Sequence, residues 1–473
     1  AGWTAETVTT EGLAPDGSLA PSSMATWTFD VTVPLDAQLS RMYYLRQPRD
    51  GWMYRWPAGH PELWGLPRAP APVHGTFSFA VGTGDMGPGA GVEVEHDVAW
   101  NYVGVDPARG QFRRPVLIVP HVSVSVTPSG MAWPQDHQGA RTLTVALRSE
   151  AKEGSRGHLT LSAPPGWGVS PDGYDFQMEA EGAERSFTFQ VRPTGTLEPG
   201  DQTFHASATT ADGHRYDEGY SIIDYPHIER AALFTPSDAR ITVIPVHVAQ
   251  GLHVGYIMGT GDDGPEALRQ IGADVTLLDP DQVRAGDYSG YDAVVVGVRA
   301  YEVRKDLESA NAQLLDYARS GGTVVVQYSK YEFPRGGFAP YPVEMSRPAA
   351  RVAEEDAAVT ILHPDAPVFT TPNRITQADF QGWVQERGLY FLSQWDDHYM
   401  PLLSMHDQGE DPQLGSLLVA PLGQGVYVYA ALSFFRQWAS GVPGAYRLFA
   451  NLVSLKAPEW RRFEARSASD GGS

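Results

Sequence analysis

Hydrophobic and polar positions change rhythm along the chain. From residue 1 to 118 apolar residues alternate with polar ones in short runs: "ATWTFDVTVP" (25–34), "GTFSFAVG" (75–82) and "GVEVEHDVAWNYVG" (91–104). A period of two predicts strands with one buried and one wet face. Between them lies "RMYYLRQPRDGWMYRWPAGHPELWGLPRAP" (41–70), crowded with Tyr43, Tyr44, Trp52, Tyr54, Trp56 and Trp64 among prolines. From "PVLIVPHVSVSVTPSG" (115–130) a second set begins, with "RTLTVALRSE", "GHLTLSAP", "RSFTFQVRP" and "QTFHASATTADG" divided by Gly, Pro and Asp turns. That regular spacing predicts a β-sandwich over 119–232, with "SIIDYPHIERAALF" (221–234) as a linker.

Past about residue 240 the apolar runs become continuous. "LHVGYIM" (252–258), "DVTLLD" (274–279), "DAVVVGVRAY" (292–301) and "TVVVQYS" (323–329) read as buried strands. A short helix is expected over Pro265–Ile271, with proline at its first position. Another is expected to be capped by Asp306, to carry Leu307, Leu314, Leu315 and Ala318, and to stop at Gly321-Gly322. Continuous strands interleaved with helices predict a parallel sheet covered on both faces. A hairpin turning at Gly423–Gly425 and a helix opening near Pro443 complete the pattern. The expected fold class is therefore multidomain: β-sandwich domains followed by an α/β flavodoxin-like parallel-sheet domain. The expected division is an incomplete β-rich domain at 1–118, a sandwich at 119–232, the α/β domain at 240–460 and a flexible tail at 461–473.

Composition narrows the chemistry. The chain has 473 residues, a formal charge of -21 and no cysteine. The negative charge argues against nucleic acid or an anionic membrane as the main partner. Without cysteine there is no disulfide, no thiolate metal site and no cysteine nucleophile. No apolar run approaches the roughly 20 residues that span a bilayer.

"VGYIMGTGDDGPEALRQIGADVTLLD" (254–279) has the outline of a dinucleotide fingerprint, Gly259-x-Gly261-x-x-Gly264, with Asp279 at the usual spacing for the acid. Yet Asp262 and Asp263 fill the gap where a pyrophosphate would lie, and like charges at that range cost kilocalories. A tight strand-to-helix turn is the better reading, with Asp279 an ordinary strand-end acid, and no cofactor is expected.

Open sheets bind ligands at their carboxyl edge. That edge should carry Asp262, Asp263, Arg299, Tyr301, Gln327, Tyr328 and Ser329. Two readings stand: a polar ligand site, or Arg299 simply pairing with Asp262 or Asp263. "DFQGWVQERGLYF" (379–391) adds Glu386 and Arg387, and "WDDHY" (395–399) adds His398. Glu386 with Asp396 or His398 could form an acid–base pair, whereas a solvated loop network is the blander alternative. No spacing matches a defined metal motif, so no metal is expected. Trp52, Tyr54, Trp56 and Trp64 could stack on sugar rings or fill gaps in a loop-rich domain.

"VGYIMGTGDDGPEALRQIGADV", "YDAVVVGVRAY", "GGTVVVQY", "DFQGWVQERGLYF" and "FFRQWASGVPGAYRLFANLVSL" resemble the C-terminal region of large bacterial PIG-L family deacetylases. In that family a zinc deacetylase module precedes sandwich domains and a glutamine-amidotransferase-like (ThuA-like) α/β domain. The resemblance is strongest over 250–455. "APPGWGVSPDGYDF" with "FTFQVRPTG" is similar to the NEW-type sandwich of carbohydrate-active enzymes.

The departures matter. The deacetylase's zinc motif is missing with its whole module, and the nucleophile position after the fourth strand holds Gln327, Tyr328 and Ser329. Ammonia release by a thiolate is thereby ruled out. The resemblance implies a non-catalytic accessory region that binds carbohydrate or scaffolds a deacetylase. Its parent would be a zinc-dependent N-deacetylase located in the periplasm or outside the cell. The expected partners are the deacetylase module or N-terminal segment of the same precursor, and a glycan. The composition permits an oligomer. The abrupt "AGWTAETVTTEG" start suggests a processed piece whose first strands pair with a separate segment. The competing reading makes the α/β domain a cysteine-free hydrolase or sugar-modifying enzyme.

Overall fold

The computed structural model describes residues 3–34, 36–50, 53–81 and 92–470. The protein is multidomain and built mostly of β-sheet. In the middle of the chain, alternation is matched by burial. A four-stranded sheet orders Trp167–Ser170, Glu184–Pro193, Arg141–Ser149 and Val122–Thr127. It faces a six-stranded sheet built on Tyr174–Met178, Ser155–Ser162, Gly200–Thr210, Asp238–Ile244 and Gly130–Pro134. Every second residue of 143–149 is buried, and their inner faces share one core. Trp133, Trp167 and Phe204 meet edge-to-face there, with centroids 4.8 and 5.3 Å apart, a geometry aromatic quadrupoles favour.

Residues 221–234 do not link two units. Glu218–Ile223 and Ala231–Pro236 pair as a hairpin, and the sandwich sheet takes Asp238–Ile244 as a further strand. The run's apolar content reads equally well as strand or connector.

The same alternation is not covered in the N-terminal region. Thr4–Glu11 pairs with Thr26–Thr32, His74–Val81 with Val92–Ala99, and Asn101–Asp106 with Gly110–Pro115, each as a separate two-stranded sheet. The pairings Phe79↔Val94 and Val81↔Val92 put apolar side chains on one face, and Ser78↔Glu95 and Thr76↔Asp97 put polar ones on the other. Yet Phe79 is 51% exposed and Val92 71%. Among the described residues before 120, the buried hydrophobics are Tyr43, Leu63 and Ile118.

After residue 250 a seven-stranded mixed sheet forms. Its five parallel strands lie in the spatial order Asp274–Leu277, His253–Ile257, Ala293–Val296, Thr323–Gln327, Gly425–Ala430. Leu417–Leu422 and Met400–Pro401 continue it antiparallel. The helix Lys305–Arg319 buries Leu307, Ala310, Leu314, Leu315 and Ala318, positions that fall on one stripe at 3.6 residues per turn. Its cap is Arg304 rather than the expected Asp306. Asp306 lies in the first turn, where it accepts from the Arg304 guanidinium at 2.6 Å. Asp279 is more than a strand-end acid: it caps Pro280–Ala285, accepting from the amides of Asp281 and Gln282 at 2.9 Å each. The expected tail from 461 continues the helix Ala457–Asp470.

Sandwich and mixed sheet are tied together. Arg141 lies over the Trp133 ring at 4.6 Å and donates to the carbonyls of Ala132 and Gln270 at 2.7 and 2.6 Å. The Gln270 side chain in turn accepts from the Ala132 amide at 2.8 Å. Burial pulls the Arg141 guanidinium down to about 10. From the other side, Arg447 donates to the Pro245 carbonyl.

Candidate functional site at the carboxyl edge of the parallel strands

The glycine loop is a tight turn laid against the neighbouring strand end. A side chain at Gly259 would meet the Val298 carbonyl at 2.0 Å, so the loop lies directly on its neighbour. Thr260 fixes that approach by donating its amide to the same carbonyl at 3.0 Å. Gly261 has a φ of 100°, open to glycine and strained for other residues. The next residue, Asp262, turns inward. Its carboxylate accepts from the Tyr256 hydroxyl at 2.5 Å, the Gly264 amide at 2.9 Å and the Val298 amide at 3.2 Å. The amide opening the helix, which would cradle a phosphate, is thus already bonded to the chain's own carboxylate. Burial pushes the Asp262 carboxyl above the usual carboxylate range, with these hydrogen bonds pulling the other way.

Gln327 extends this buried set. Its Nε2 donates to the Tyr256 hydroxyl at 2.6 Å, while its Oε1 is buried without a partner. The Tyr256 phenol is held well above its ordinary value, first by burial and then by Asp262. Asp263 stays exposed and caps nothing with its side chain.

Arg299 departs from the expected pairing. It reaches neither aspartate but grips Glu302, three residues on, with Nε and Nη2 at 2.6 and 2.5 Å. The physical reason is its backbone: a left-handed φ of 57° aims the side chain along its own helical turn, and its amide bonds the Tyr328 carbonyl at 3.0 Å. The Glu302 carboxyl is depressed chiefly by that hydrogen bond. Lys330 approaches Glu302 at 3.4 Å. Tyr301 is not at the edge. It is buried, donates to Asn311 at 2.7 Å and stacks on Phe338 at 4.6 Å.

Glu386 joins the edge, but with Arg436, whose Nε donates to it at 2.6 Å, rather than with Asp396 or His398. His398 pairs locally with Asp396 and stacks on Tyr341 at 4.0 Å. Arg387 is a core residue. It is 5% exposed, and its Nε and Nη2 bond the Ala357 carbonyl at 3.0 and 2.8 Å. Desolvation lowers its guanidinium to about 10. Ser329 is buried, and its Oγ donates to the Gln327 carbonyl at 3.4 Å.

The structure adds residues the sequence did not flag. Tyr390 lies parallel to Tyr328, 5.7 Å between centroids and 5° between planes. The Tyr328 phenol, raised mainly by burial, sits in the fields of Arg299, Glu386, Arg436 and Tyr390. Arg299, Gln385 and Tyr390 have φ of 57°, 68° and 58°, three of the four non-glycine positive values among the described residues. Each costs on the order of 1–3 kcal/mol and persists only where surrounding structure imposes it. No sequence signal announces this, because αL backbone in arginine, glutamine or tyrosine is set by tertiary contacts.

Among the described residues no three His, Asp or Glu side chains gather as a metal site. No helix of the described residues is long and apolar enough to cross a membrane. A cleft of about 580 Å³ opens at the opposite end of the parallel strands, lined by Tyr288, Tyr291, Asp316, Tyr317 and Lys456, and it holds none of the expected site residues. In the N-terminal region Tyr54, Trp56 and Trp64 are 44%, 44% and 53% exposed. Trp56 leans on buried Tyr43 at 5.7 Å, and Tyr54 meets Tyr44 edge-on at 5.2 Å. Trp52 lies outside the described residues.

No family model and no curated protein matches the chain. Among solved structures, a β-galactosidase from Rahnella aligns over 43% of this chain and 31% of its own, with TM-score 0.25 and 15% identity. WR4, an MSP family member of C. elegans, aligns over 25% of this chain and 96% of its own, with TM-score 0.16 and 14% identity. The E. coli chaperone DraB aligns over 26% and 54%, with TM-score 0.16 and 11% identity.

Proposed function

We propose that the chain is a non-catalytic accessory region of a PIG-L-type deacetylase, binding carbohydrate or scaffolding the deacetylase module. One observation carries this reading: Asp262, Glu386 and Ser329, edge groups that could act as base or nucleophile, are each bonded within the chain. Asp262 is bonded to Tyr256 and two amides, Arg299 to Glu302, and Glu386 to Arg436. Ser329, at the nucleophile position, bonds its own strand and forms no hydrogen bond to a histidine among the described residues. A nucleophile needs a base within hydrogen-bond reach.

Two further features support the reading. The parallel strands, numbered along the chain, lie in the order 2-1-3-4-5, an order that flavodoxin-like sheets also use and that supports the reading. The N-terminal hairpins carry apolar faces that none of the described residues covers, as a scaffold surface for another module would. An assay of the chain on N-acetylated amino sugars and on glutamine is expected to give no turnover. Turnover abolished by Ser329→Ala or Glu386→Gln would overturn the reading. Adding the deacetylase module of the same precursor should slow amide exchange in Thr4–Glu11 and His74–Val81.

A further inference from the structure

Three strand ends and one crossing segment bring one surface together. The residues after Ala293–Val296 supply Arg299 and Glu302, and those after Thr323–Gln327 supply Tyr328 and Lys330. The residues after Gly425–Ala430 supply Arg436, and the 385–390 segment crosses beside them with Gln385, Glu386 and Tyr390. Left-handed backbone at Arg299, Gln385 and Tyr390 is gathered on this one rim. Strain kept at several positions around one place is a mark of a site rather than of packing.

The chemistry of the rim is donor-rich. Arg299 uses Nε and Nη2 on Glu302, and Arg436 uses Nε and Nη1 on Glu386 and Gln385. Among the described residues the remaining guanidinium nitrogen of each makes no hydrogen bond. Lys330 approaches Glu302 only at 3.4 Å. Glu355 comes close as well, but its Oε2 is taken by the Gln385 amide at 2.6 Å. The half-buried Tyr390 ring is backed in parallel by Tyr328. Beneath them Gln327 Oε1 is buried and unpartnered at the end of its strand. Free guanidinium N–H groups ask for a ligand of paired acceptor oxygens, which a carboxylate supplies. A tyrosine face asks for a flat array of C–H groups, which a pyranose supplies. A phosphate is disfavoured, because the helix-opening amide that would bind it is bonded to Asp262.

We propose that the rim of Arg299, Lys330, Tyr390 and Arg436 binds a carboxylate-bearing saccharide, a uronate-type sugar unit. The proposal rests on the carbohydrate-binding reading above and gives it a place and a ligand class. The test titrates the full chain with a glucuronate-terminated disaccharide and with its neutral glucose-terminated counterpart, by calorimetry at low salt. The uronate is expected to bind at least about tenfold tighter than the neutral sugar, as a charge-assisted contact requires. Arg436→Met and Tyr390→Gly should each weaken it by about tenfold or more, while Trp56→Ala leaves it unchanged. If uronate binding survives Arg436→Met and Tyr390→Gly but is lost in Trp56→Ala or Trp64→Ala, the rim is wrong and the carbohydrate reading stands. Equal affinity for the neutral sugar also overturns the rim. If neither sugar binds, both fall.

Discussion

The hairpin His74–Val81/Val92–Ala99 and the sandwich strand Arg141–Ser149 are written in the same alternating code, yet only one is buried. Leu143, Val145 and Leu147 are at most 1% exposed, whereas Phe79, Val81 and Val92 are more than half exposed. The difference is a second layer. A strand's pattern fixes which side chains share a face, but burial needs an opposing sheet about 10 Å away. The sandwich supplies that layer from its own chain, and the described N-terminal residues do not.

Paired substitutions test this contrast directly. Phe204→Ala, in the sandwich core, should cost about 3–5 kcal/mol through lost transfer energy and a residual cavity. Phe79→Ala should stay within about 0.5 kcal/mol, as exposed substitutions do. Chemical denaturation of both variants measures the pair; a comparable loss at Phe79 would mean the hairpin face is already covered in solution.

The carboxyl edge offers intermediate tests, because it is buried as the sandwich is but by polar groups. Arg387→Met strips charged donors from the carbonyls of Ala357 and Phe380 and should cost about 3 kcal/mol. Asp262→Asn leaves one acceptor oxygen where three donors converge, and should cost about 1–3 kcal/mol in the same measurement.

The smallest effect but one is a pH dependence. Asp306 is depressed below its ordinary 3.8, first by the hydrogen bond from Arg304. A carboxyl lowered in the folded state contributes stability that is fully present above the unfolded value. That stability is lost as pH falls through the lower folded value. As pH falls below about 4 the melting temperature should therefore fall, and Arg304→Met should flatten that fall. An unchanged acid profile in that variant would remove the pair from the account.

These contrasts also mark what was readable in the sequence. Continuous runs such as "TVVVQYS" were legible as buried strands, because both faces of a parallel strand are apolar. The helix at 280–285 was not, since Asp279-Pro280 reads equally as a strand end and as a cap with proline at the first position. Asp262 was legible as an edge residue and Glu386 only as a separate candidate, and the partners of neither were legible. Arg299 was diverted to Glu302 by a left-handed backbone, and Arg436 arrives from 50 residues further along. Pairing of that kind is decided by the strand order, which periodicity does not encode.

The Arg141 clamp has a consequence for dissecting the chain. A fragment ending at Ile244 would keep the guanidinium over Trp133 but lose the Gln270 carbonyl that receives it and the Gln270 oxygen that receives the Ala132 amide. The exposed stump would carry a cation freed from its low-dielectric seat and a sheet edge with an orphaned N–H. Genetic excision at that boundary therefore yields a product prone to stick to its neighbours, and the sandwich is better expressed, crystallised or fused together with the layer that follows it.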